Sequence, residues 1–166
     1  MPNAIYPLMV RSFSAGRRIV IAIGITLLAS LPGLMVAQEP DGWFASLHKP
    51  PFAPPDAVFG PVWTVLYIMI GTAAGLGWAQ VKVTPVRNAL MLYGAQILLH
   101  VLWTVVFFGM HAPYAALVVI SLLLIYIVLT MQAFNPISRM AVRLMVPYLL
   151  WVVFATVLNV GFVRLN

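Results

Sequence analysis

Charged residues are so rare in this chain that the distances between them outline its architecture. Only 7% of the 166 residues are Asp, Glu, Lys or Arg. A transmembrane helix needs about 20 uncharged residues to cross roughly 30 Å of hydrocarbon. Four uncharged stretches reach that length, and they run from Arg18 to Glu39, from Asp56 to Lys82, from Arg87 to Arg139 and from Arg143 to Arg164.

The third stretch is long enough for two helices. It contains 51 residues, and His111-Ala112-Pro113 lies near its middle. Proline lacks the amide hydrogen that a helix interior needs, so the two predicted helices meet there. The spacing therefore predicts an all-α integral membrane protein built as a five-transmembrane-helix bundle. The expected boundaries are an N-terminal extension over 1–15, one domain over 16–166, helices at about 17–38, 56–80, 86–109, 113–133 and 138–163, and a lid loop over 39–55.

Composition excludes several classes of protein. The chain is 63% hydrophobic with a mean hydropathy of +1.04. It therefore has too few polar residues to cover the water-facing surface of a soluble domain. It has no cysteine, three histidines and three acidic residues, so we expect no metal site and no required cofactor. The net charge of +6 comes from scattered Lys and Arg residues that form no patch along which nucleic acid could bind.

The distribution of basic residues predicts the orientation in the membrane. Alternate connections between antiparallel helices lie on the same side, and cytoplasmic connections carry the excess of Lys and Arg. We therefore expect a multi-pass protein of a bacterial membrane with a cytoplasmic N-terminus. The cytoplasmic side would hold Arg11, Arg17, Arg18, Lys82, Arg87, Arg139 and Arg143, whereas Lys49, Arg164 and all three acidic residues would lie opposite.

The lid loop is rich in proline and aromatic residues. Pro50-Pro51 and Pro54-Pro55 restrict the backbone and favour a stiff loop. Asp56 follows them, where its carboxylate would act as N-cap of the second predicted helix. Two interpretations of the loop remain open: a shaped lid, or an aromatic belt at headgroup depth formed by Trp43, Phe44 and Phe52.

Helical spacing places polar and aromatic side chains on one face of each of three predicted helices. Because polar side chains are costly in lipid, these faces should point into the bundle. They would wall an apolar, aromatic pocket under the lid, although ordinary core packing explains such spacing equally well. The faces are Trp63 and Tyr67; Gln96, His100, Trp103 and Phe107; and Tyr148, Trp151, Ala155, Asn159 and Phe162.

Two further features admit more than one interpretation. His100 would form an interhelical hydrogen bond, with Gln96 as a candidate partner, or would be an axial haem ligand. Gly71 and Gly75 permit close helix contact, either inside the bundle or across a dimer.

Several ordered motifs resemble the translocator protein family, also called tryptophan-rich sensory protein or peripheral-type benzodiazepine receptor. Together they extend over all five predicted helices. The motifs are Pro32-Gly33, Trp43-Phe44, Leu47, Lys49-Pro50, Pro54-Pro55, Val58-Phe59, Val62-Trp63, Leu66-Tyr67, Tyr93, Gln96, Trp103, Phe107-Phe108-Gly109, Pro147-Tyr148, Trp151, Ala155 and Leu158-Asn159.

The resemblance implies a membrane-embedded homodimer that acts as a receptor or transport protein for small molecules and contacts membrane lipid. The implied ligands are protoporphyrin, haem and other tetrapyrroles, sterols such as cholesterol, and isoquinoline or benzodiazepine drugs. Porphyrin carboxylates would meet Lys49 or His48 at the lid. The ligand-binding residues expected from the resemblance and from helix periodicity are Trp43, His48, Phe52, Trp63, Tyr67, Gln96, His100, Trp103, Phe107, Tyr148, Trp151 and Ala155.

The chain departs from the family pattern in ways that keep other functions open. Its lid lacks the usual aromatic residues at Pro51 and Ala57, His100 replaces the usual Asn, and Val160 replaces the Tyr of the proposed sterol-recognition segment. The alternatives are a sterol- or lipid-binding regulatory scaffold, a transporter, and a light- and oxygen-dependent porphyrin-degrading enzyme. In that enzyme, the resemblance implies radical chemistry at Trp43 and Trp63.

Overall fold

The computed structural model describes residues 14–37, 42–80 and 83–166, which form helices and short connections. The long helices are apolar along most of their length and carry their charged residues near the ends. The elements are α1 (Ala15–Ala37), α2 (Trp43–Ser46), a 3-10 turn (Asp56–Val58), α3 (Phe59–Trp78), α4 (Val83–Thr104), a π-helical continuation of α4 (Val105–Gly109), α5 (Pro113–Phe134) and α6 (Arg139–Leu165).

Some sequence expectations lie outside the described residues. These are the N-terminal extension up to residue 13, the first part of the lid loop at 39–41, and Lys82.

Within residues 14–37, 42–80 and 83–166, four helical segments are long and apolar enough to cross a membrane. They are Asp56–Trp78, Pro85–Gly109, Pro113–Phe134 and Arg139–Leu165. The helix α1 adds a further apolar segment of 23 residues. The architecture is therefore a helical membrane bundle.

The five long helices form a closed ring in which chain neighbours are not always spatial neighbours. Going round the bundle, α1 packs against α3, α3 against α6, α6 against α5, α5 against α4, and α4 against α1. This order brings α3, α4 and α6 round a common space, with α1 behind α3 and α5 behind α6. The three helices that carry the predicted polar and aromatic faces therefore meet inside the bundle.

Small residues bring α1 and α3 into close contact. A Cβ atom added at Gly71 would lie 2.7 Å from the Cα atom of Ile23, and one added at Gly75 would overlap the Cα atom of Ile19. The absence of side chains at these glycines lets the two backbones approach. Of the two sequence-based interpretations, the structure places these glycines in a contact inside the bundle.

The segment between α1 and α3 is held against the end of the bundle. Pro50 is buried, and it packs on Gly161 of α6, where an added Cβ would overlap the proline ring. Asn166, just after α6, accepts from the His48 backbone N–H at 2.9 Å and donates to the His48 carbonyl at 3.2 Å. These contacts hold the segment, which includes the short helix α2, against the end of the bundle, and its described residues are called the lid below.

The capping role predicted for Asp56 is wrong. Neither the 3-10 turn nor α3 has a side-chain cap hydrogen bond at its start. Both carboxylate oxygens of Asp56 instead lie 2.7 Å from Nζ of Lys49. The residue is the first of the 3-10 turn, and the lysine seven positions earlier folds back onto its carboxylate.

Candidate functional site

A cavity of about 270 Å³ lies between α3, α4 and α6, directly beneath α2. Its walls are mostly aromatic and aliphatic, and the exposed residues Asp56 and Gly60 mark its outer end. The lining residues are Phe44, Asp56, Phe59, Gly60, Trp63, Tyr67, His100, Trp103, Thr104, Phe107, Phe108, Ala155, Leu158, Asn159 and Phe162.

Trp63 is the centre of the aromatic wall. Its indole lies 4.5 Å from the His100 ring, centroid to centroid, in an edge-to-face arrangement. It stacks on Tyr67 at 5.8 Å, as expected for residues four apart on a helix. Three more rings lie at similar range, those of Trp103 at 6.3 Å, Tyr148 at 6.3 Å and Trp151 at 6.2 Å. These centroid distances and ring angles are those at which aromatic pairs attract.

His100 is tied to α3 rather than to its own helix. Its Nε2 atom lies 2.5 Å from the Tyr67 hydroxyl. The sequence-based suggestion of a bond to Gln96 is wrong, since both amide atoms of Gln96 are buried without a partner among the described residues. The Nδ1 atom of His100 is buried and has no partner there either. The bond to Tyr67 joins α3 and α4 at the deep end of the cavity.

Asn159 holds the second wall in place. Its Oδ1 atom accepts from the Trp103 indole N–H at 3.2 Å. Its Nδ2 atom donates to the Pro113 carbonyl at 3.0 Å. One side chain of α6 thus fixes the orientation of an indole on α4 and anchors the first turn of α5.

The outer wall combines the lid with a π-helical segment of α4. The N–H of Met110 donates to the Val105 carbonyl at 2.9 Å, a bond that spans five residues. In this wider turn Phe107 and Phe108 both line the cavity, and π-helical turns are often found at functional sites. Phe44 of α2 covers them, with its ring 5.3 Å from Phe108 and 5.4 Å from Phe162.

Six residues predicted from the sequence line this cavity. These are Trp63, Tyr67, His100, Trp103, Phe107 and Ala155. Tyr148 and Trp151 lie behind Trp63 and are not part of the lining. Trp43 lies outside it, stacked on His111 at 4.4 Å and edge-on to Phe107 at 5.7 Å.

The other three predicted residues lie elsewhere. Gln96 is fully buried in the core, away from the cavity. His48 is exposed and contributes backbone bonds to Asn166. Phe52 is 49% exposed, does not line the cavity, and has the tip of its ring near Gly161 of α6.

Several lining residues were not among the predicted site residues. Phe44 lies in the four-residue helix α2 and Phe59 begins α3, and neither position has enough periodic sequence around it to identify an inward face. Phe108 enters through the π-helical turn. The spacing places Asn159 and Phe162 on the same face of α6 as Ala155, closer to the lid. This continuation of the face beyond Ala155 is the sequence signal that identifies both residues.

The described residues do not fit an axial haem site. The Nε2 atom of His100 is engaged by Tyr67, and its Nδ1 atom is buried. Within the described part of the chain, no three His, Cys, Asp or Glu side chains come together as a metal site. The cavity can instead offer ring faces to a flat apolar molecule, with most of its polar side chains already hydrogen-bonded to one another.

A second, more open cavity lies between α1, α3 and α4. It measures about 470 Å³, and aliphatic residues dominate its lining, which includes Ile25, Leu98 and Trp78. Its two hydroxyl groups, from Thr26 and Tyr93, bond to each other at 2.6 Å. As far as the described residues show, its lining has no comparable ring cluster and includes no residue of the lid.

Comparison with known proteins identifies the family. The sequence model of the TspO/MBR family matches residues 19–165. The tryptophan-rich protein TspO of Chlorobaculum tepidum is 44% identical over 151 residues, covering 88% of this chain and 94% of the relative. The tryptophan-rich sensory protein of Cereibacter sphaeroides is 41% identical over 128 residues, covering 77% and 79%. The translocator protein of Bos taurus is 37% identical over 148 residues, covering 83% and 85%. The chain therefore belongs to the TspO/MBR family.

Proposed function

We propose that this protein is a membrane receptor for flat hydrophobic molecules, with tetrapyrroles such as protoporphyrin as the leading ligand class. The observation that carries the proposal is the lidded aromatic cavity between α3, α4 and α6. Relatives named sensory protein and translocator protein support a role in sensing or transport within a membrane.

The cavity favours a ligand recognised by shape and stacking. Trp63, Trp103 and Phe107 present ring faces and edges from two helices, and such rings attract other π systems. The Tyr67 hydroxyl, the Nε2 atom of His100 and both side-chain amide atoms of Asn159 are bonded within the protein. A ligand would then gain more from covering the rings than from new hydrogen bonds.

The size of the cavity indicates that the lid moves on binding. A volume of about 270 Å³ is just below the roughly 300–1,000 Å³ of ordinary small-molecule sites. A tetrapyrrole macrocycle therefore needs additional space, and α2, a helix of four residues, is the element that covers the cavity through Phe44. Phe44 would leave its position over Phe108 and Phe162 as the ligand enters.

The proposal includes a five-span topology within one domain over 16–166. The helix α1 has 23 residues, which at 1.5 Å per residue extend about 34 Å, enough to cross the hydrocarbon. The positive-inside rule would then put the N-terminus in the cytoplasm and the lid on the opposite side. Reactivity of single cysteines at positions 48 and 136 toward an impermeant reagent tests this. Labelling of both positions from one side would contradict it.

The test of the proposed function is a titration in the dark with protoporphyrin, followed by tryptophan fluorescence of the purified full-length protein. Ala155→Leu places a larger side chain in the cavity wall, whereas Val157→Leu changes the lipid-exposed face of the same helix. We expect saturable quenching for wild type and Val157→Leu, and at least tenfold weaker binding for Ala155→Leu. Non-saturable quenching of a folded wild type, or equal affinity of all three proteins, would contradict the proposal.

The same complex tests the alternative of light-dependent porphyrin degradation. Trp63 lines the cavity, where a bound macrocycle would touch it, and this placement favours the alternative. Under this alternative, illumination in air should consume the porphyrin bound to the wild type, and should consume it more slowly in Trp63→Phe. Intact porphyrin recovered from illuminated wild type would exclude the enzymatic alternative and leave the receptor.

A further inference from the structure

One charged pair stands at the entrance to the cavity. Among the described residues that line the cavity, Asp56 alone carries a formal charge. Its two carboxylate oxygens both lie 2.7 Å from Nζ of Lys49. The same ammonium group lies 4.8 Å from the centre of the Phe44 ring, which also lines the cavity. Lys49 is therefore within reach of the entrance while its charge is neutralised by Asp56.

The pair is accessible enough to exchange partners. The Lys49 and Asp56 side chains are 32% and 54% exposed, and ion pairs with that exposure contribute little to stability because water screens them. Asp56 also begins the helical run that continues as α3. A released carboxylate there stays near the positive end of the helix dipole and in water, so its release costs little.

His48 offers no equivalent contact. Its side chain is exposed, it is not part of the cavity lining, and its backbone is held by Asn166. Of the two residues considered for ligand carboxylates, Lys49 is the one beside the entrance. Its ammonium group can form a charge-assisted hydrogen bond to a carboxylate at the edge of a ligand.

We propose that Lys49 is the carboxylate-recognition residue of the cavity, and that a ligand carboxylate replaces Asp56 as its partner on binding. This inference rests on the proposed function and adds a specificity rule to it. The cavity selects flat hydrophobic ligands that carry a carboxylate at one edge. Asp56 disfavours such a ligand whenever Lys49 is absent, because the entrance then carries an uncompensated negative charge.

The experiment compares two probes that share one macrocycle and differ in whether their two carboxyl groups are free or methylated. Protoporphyrin carries two carboxylates, whereas its dimethyl ester carries none. Both are titrated in the dark against the full-length wild type, Lys49→Gln, Asp56→Asn and Arg164→Gln. Arg164 is an exposed basic residue in the last turn of α6, at the same end of the bundle, and it controls for the general loss of positive charge.

The proposal predicts that substitutions of Lys49 and Asp56 change the affinity for protoporphyrin in opposite directions and leave the affinity for its ester nearly unchanged. Lys49→Gln should weaken binding of protoporphyrin roughly tenfold, the usual size of one hydrogen bond to a charged group. Asp56→Asn should strengthen it about threefold, because the competing carboxylate is gone. Affinity for the dimethyl ester should stay within about twofold of wild type for both variants, and Arg164→Gln should leave both probes unchanged.

The failure of this proposal is distinguishable from the failure of the proposed function. If Lys49→Gln weakened the binding of protoporphyrin and of its dimethyl ester equally, the lysine would only support the structure of the lid. That result would overturn the proposed exchange of carboxylate partners. Weaker binding of the acid by Asp56→Asn would also overturn it. Ester binding by wild type keeps the receptor function in either case, whereas binding of neither probe by folded wild type overturns both proposals.

Discussion

The two halves of α3 face the bundle with opposite kinds of side chain. The half nearer the lid presents Phe59, Trp63 and Tyr67 to a cavity. The other half presents Gly71 and Gly75 to α1 so closely that a Cβ atom could not be added at either without displacing the α1 backbone. One helix thus packs its backbone directly against α1 in one half and lines the lidded cavity with aromatic rings in the other.

The difference teaches what keeps a cavity open inside a close-packed protein. Protein interiors normally pack to the density of organic crystals, and small residues let neighbouring backbones approach until no space is left. Large rings leave space when their orientations are fixed. In this cavity they are fixed by the bond from Tyr67 to His100 and by the bond from Trp103 to Asn159.

The close-packed half should be the more sensitive to an enlarged side chain. Gly75→Leu would force α1 away from α3, and overpacking of this kind costs roughly 3 kcal/mol of folding free energy. Gly94→Leu is the matched control, since an added Cβ there meets nothing within 4 Å. Thermal unfolding in detergent, followed by circular dichroism, measures both. Equal stability of the two variants would contradict the close packing of α1 on α3.

The open half should be the more sensitive in ligand binding. Trp63→Ala removes the ring at the centre of the aromatic wall, and loss of such a central residue typically weakens binding by about 2 kcal/mol, or 30-fold. Trp78→Ala is the control on the same helix, since Trp78 lines the other cavity. Dark titration with protoporphyrin compares the two variants. A larger loss of protoporphyrin affinity in Trp78→Ala would indicate that the ligand binds in the cavity between α1, α3 and α4 instead.

Loss of the bond that orients Trp103 should have a smaller effect. Asn159→Ala leaves the indole N–H of Trp103 without its acceptor and frees the Pro113 carbonyl. Hydrogen bonds between membrane helices contribute on average about 0.6 kcal/mol and at most about 1.7 kcal/mol. We expect protoporphyrin affinity to fall about fivefold. Thr156→Val, which removes a bond within α6 only, should change affinity less than twofold; an equal effect of both would count against ring orientation.

The smallest predicted effect concerns the bond between Tyr67 and His100. A double-mutant cycle of Tyr67→Phe and His100→Leu should give a coupling free energy of about 0.6 kcal/mol in thermal or denaturant unfolding. The Tyr67 hydroxyl oxygen lies 2.5 Å from Nε2 of His100, and neither Phe nor Leu can form this bond, so each variant removes it. Strictly additive effects would show that this bond does not stabilise the bundle.

Helices and their inward faces followed from the sequence because both depend on regular spacing. The spacing of charged residues located the apolar segments, and steps of three and four placed Trp63 with Tyr67 and His100 with Trp103. All four of these residues line the cavity. Periodicity defines a face about 100° wide, however, and it does not give depth. Trp151 is on the correct side of α6 but lies behind Trp63.

The lid was harder to predict because its geometry depends on single contacts. Its prolines predict a stiff segment, yet no pattern in the sequence indicates that Pro50 docks on Gly161 or that Lys49 folds back onto Asp56. The short helix α2 brings Phe44 over the cavity through the same irregular path. The π-helical turn changes the phase of α4 and adds Phe108 to the wall.

The most direct test of the central claim is an experimental structure of the full-length protein with protoporphyrin, prepared in lipid and in the dark. We expect the macrocycle between α3, α4 and α6, in contact with Trp63 and Phe107, with α2 displaced outward and a carboxylate at Lys49. The close contact between α1 and α3 at Gly71 and Gly75 should be unchanged. A macrocycle bound between α1, α3 and α4 or on the lipid-facing surface, with the lidded cavity as it is here, would contradict the claim.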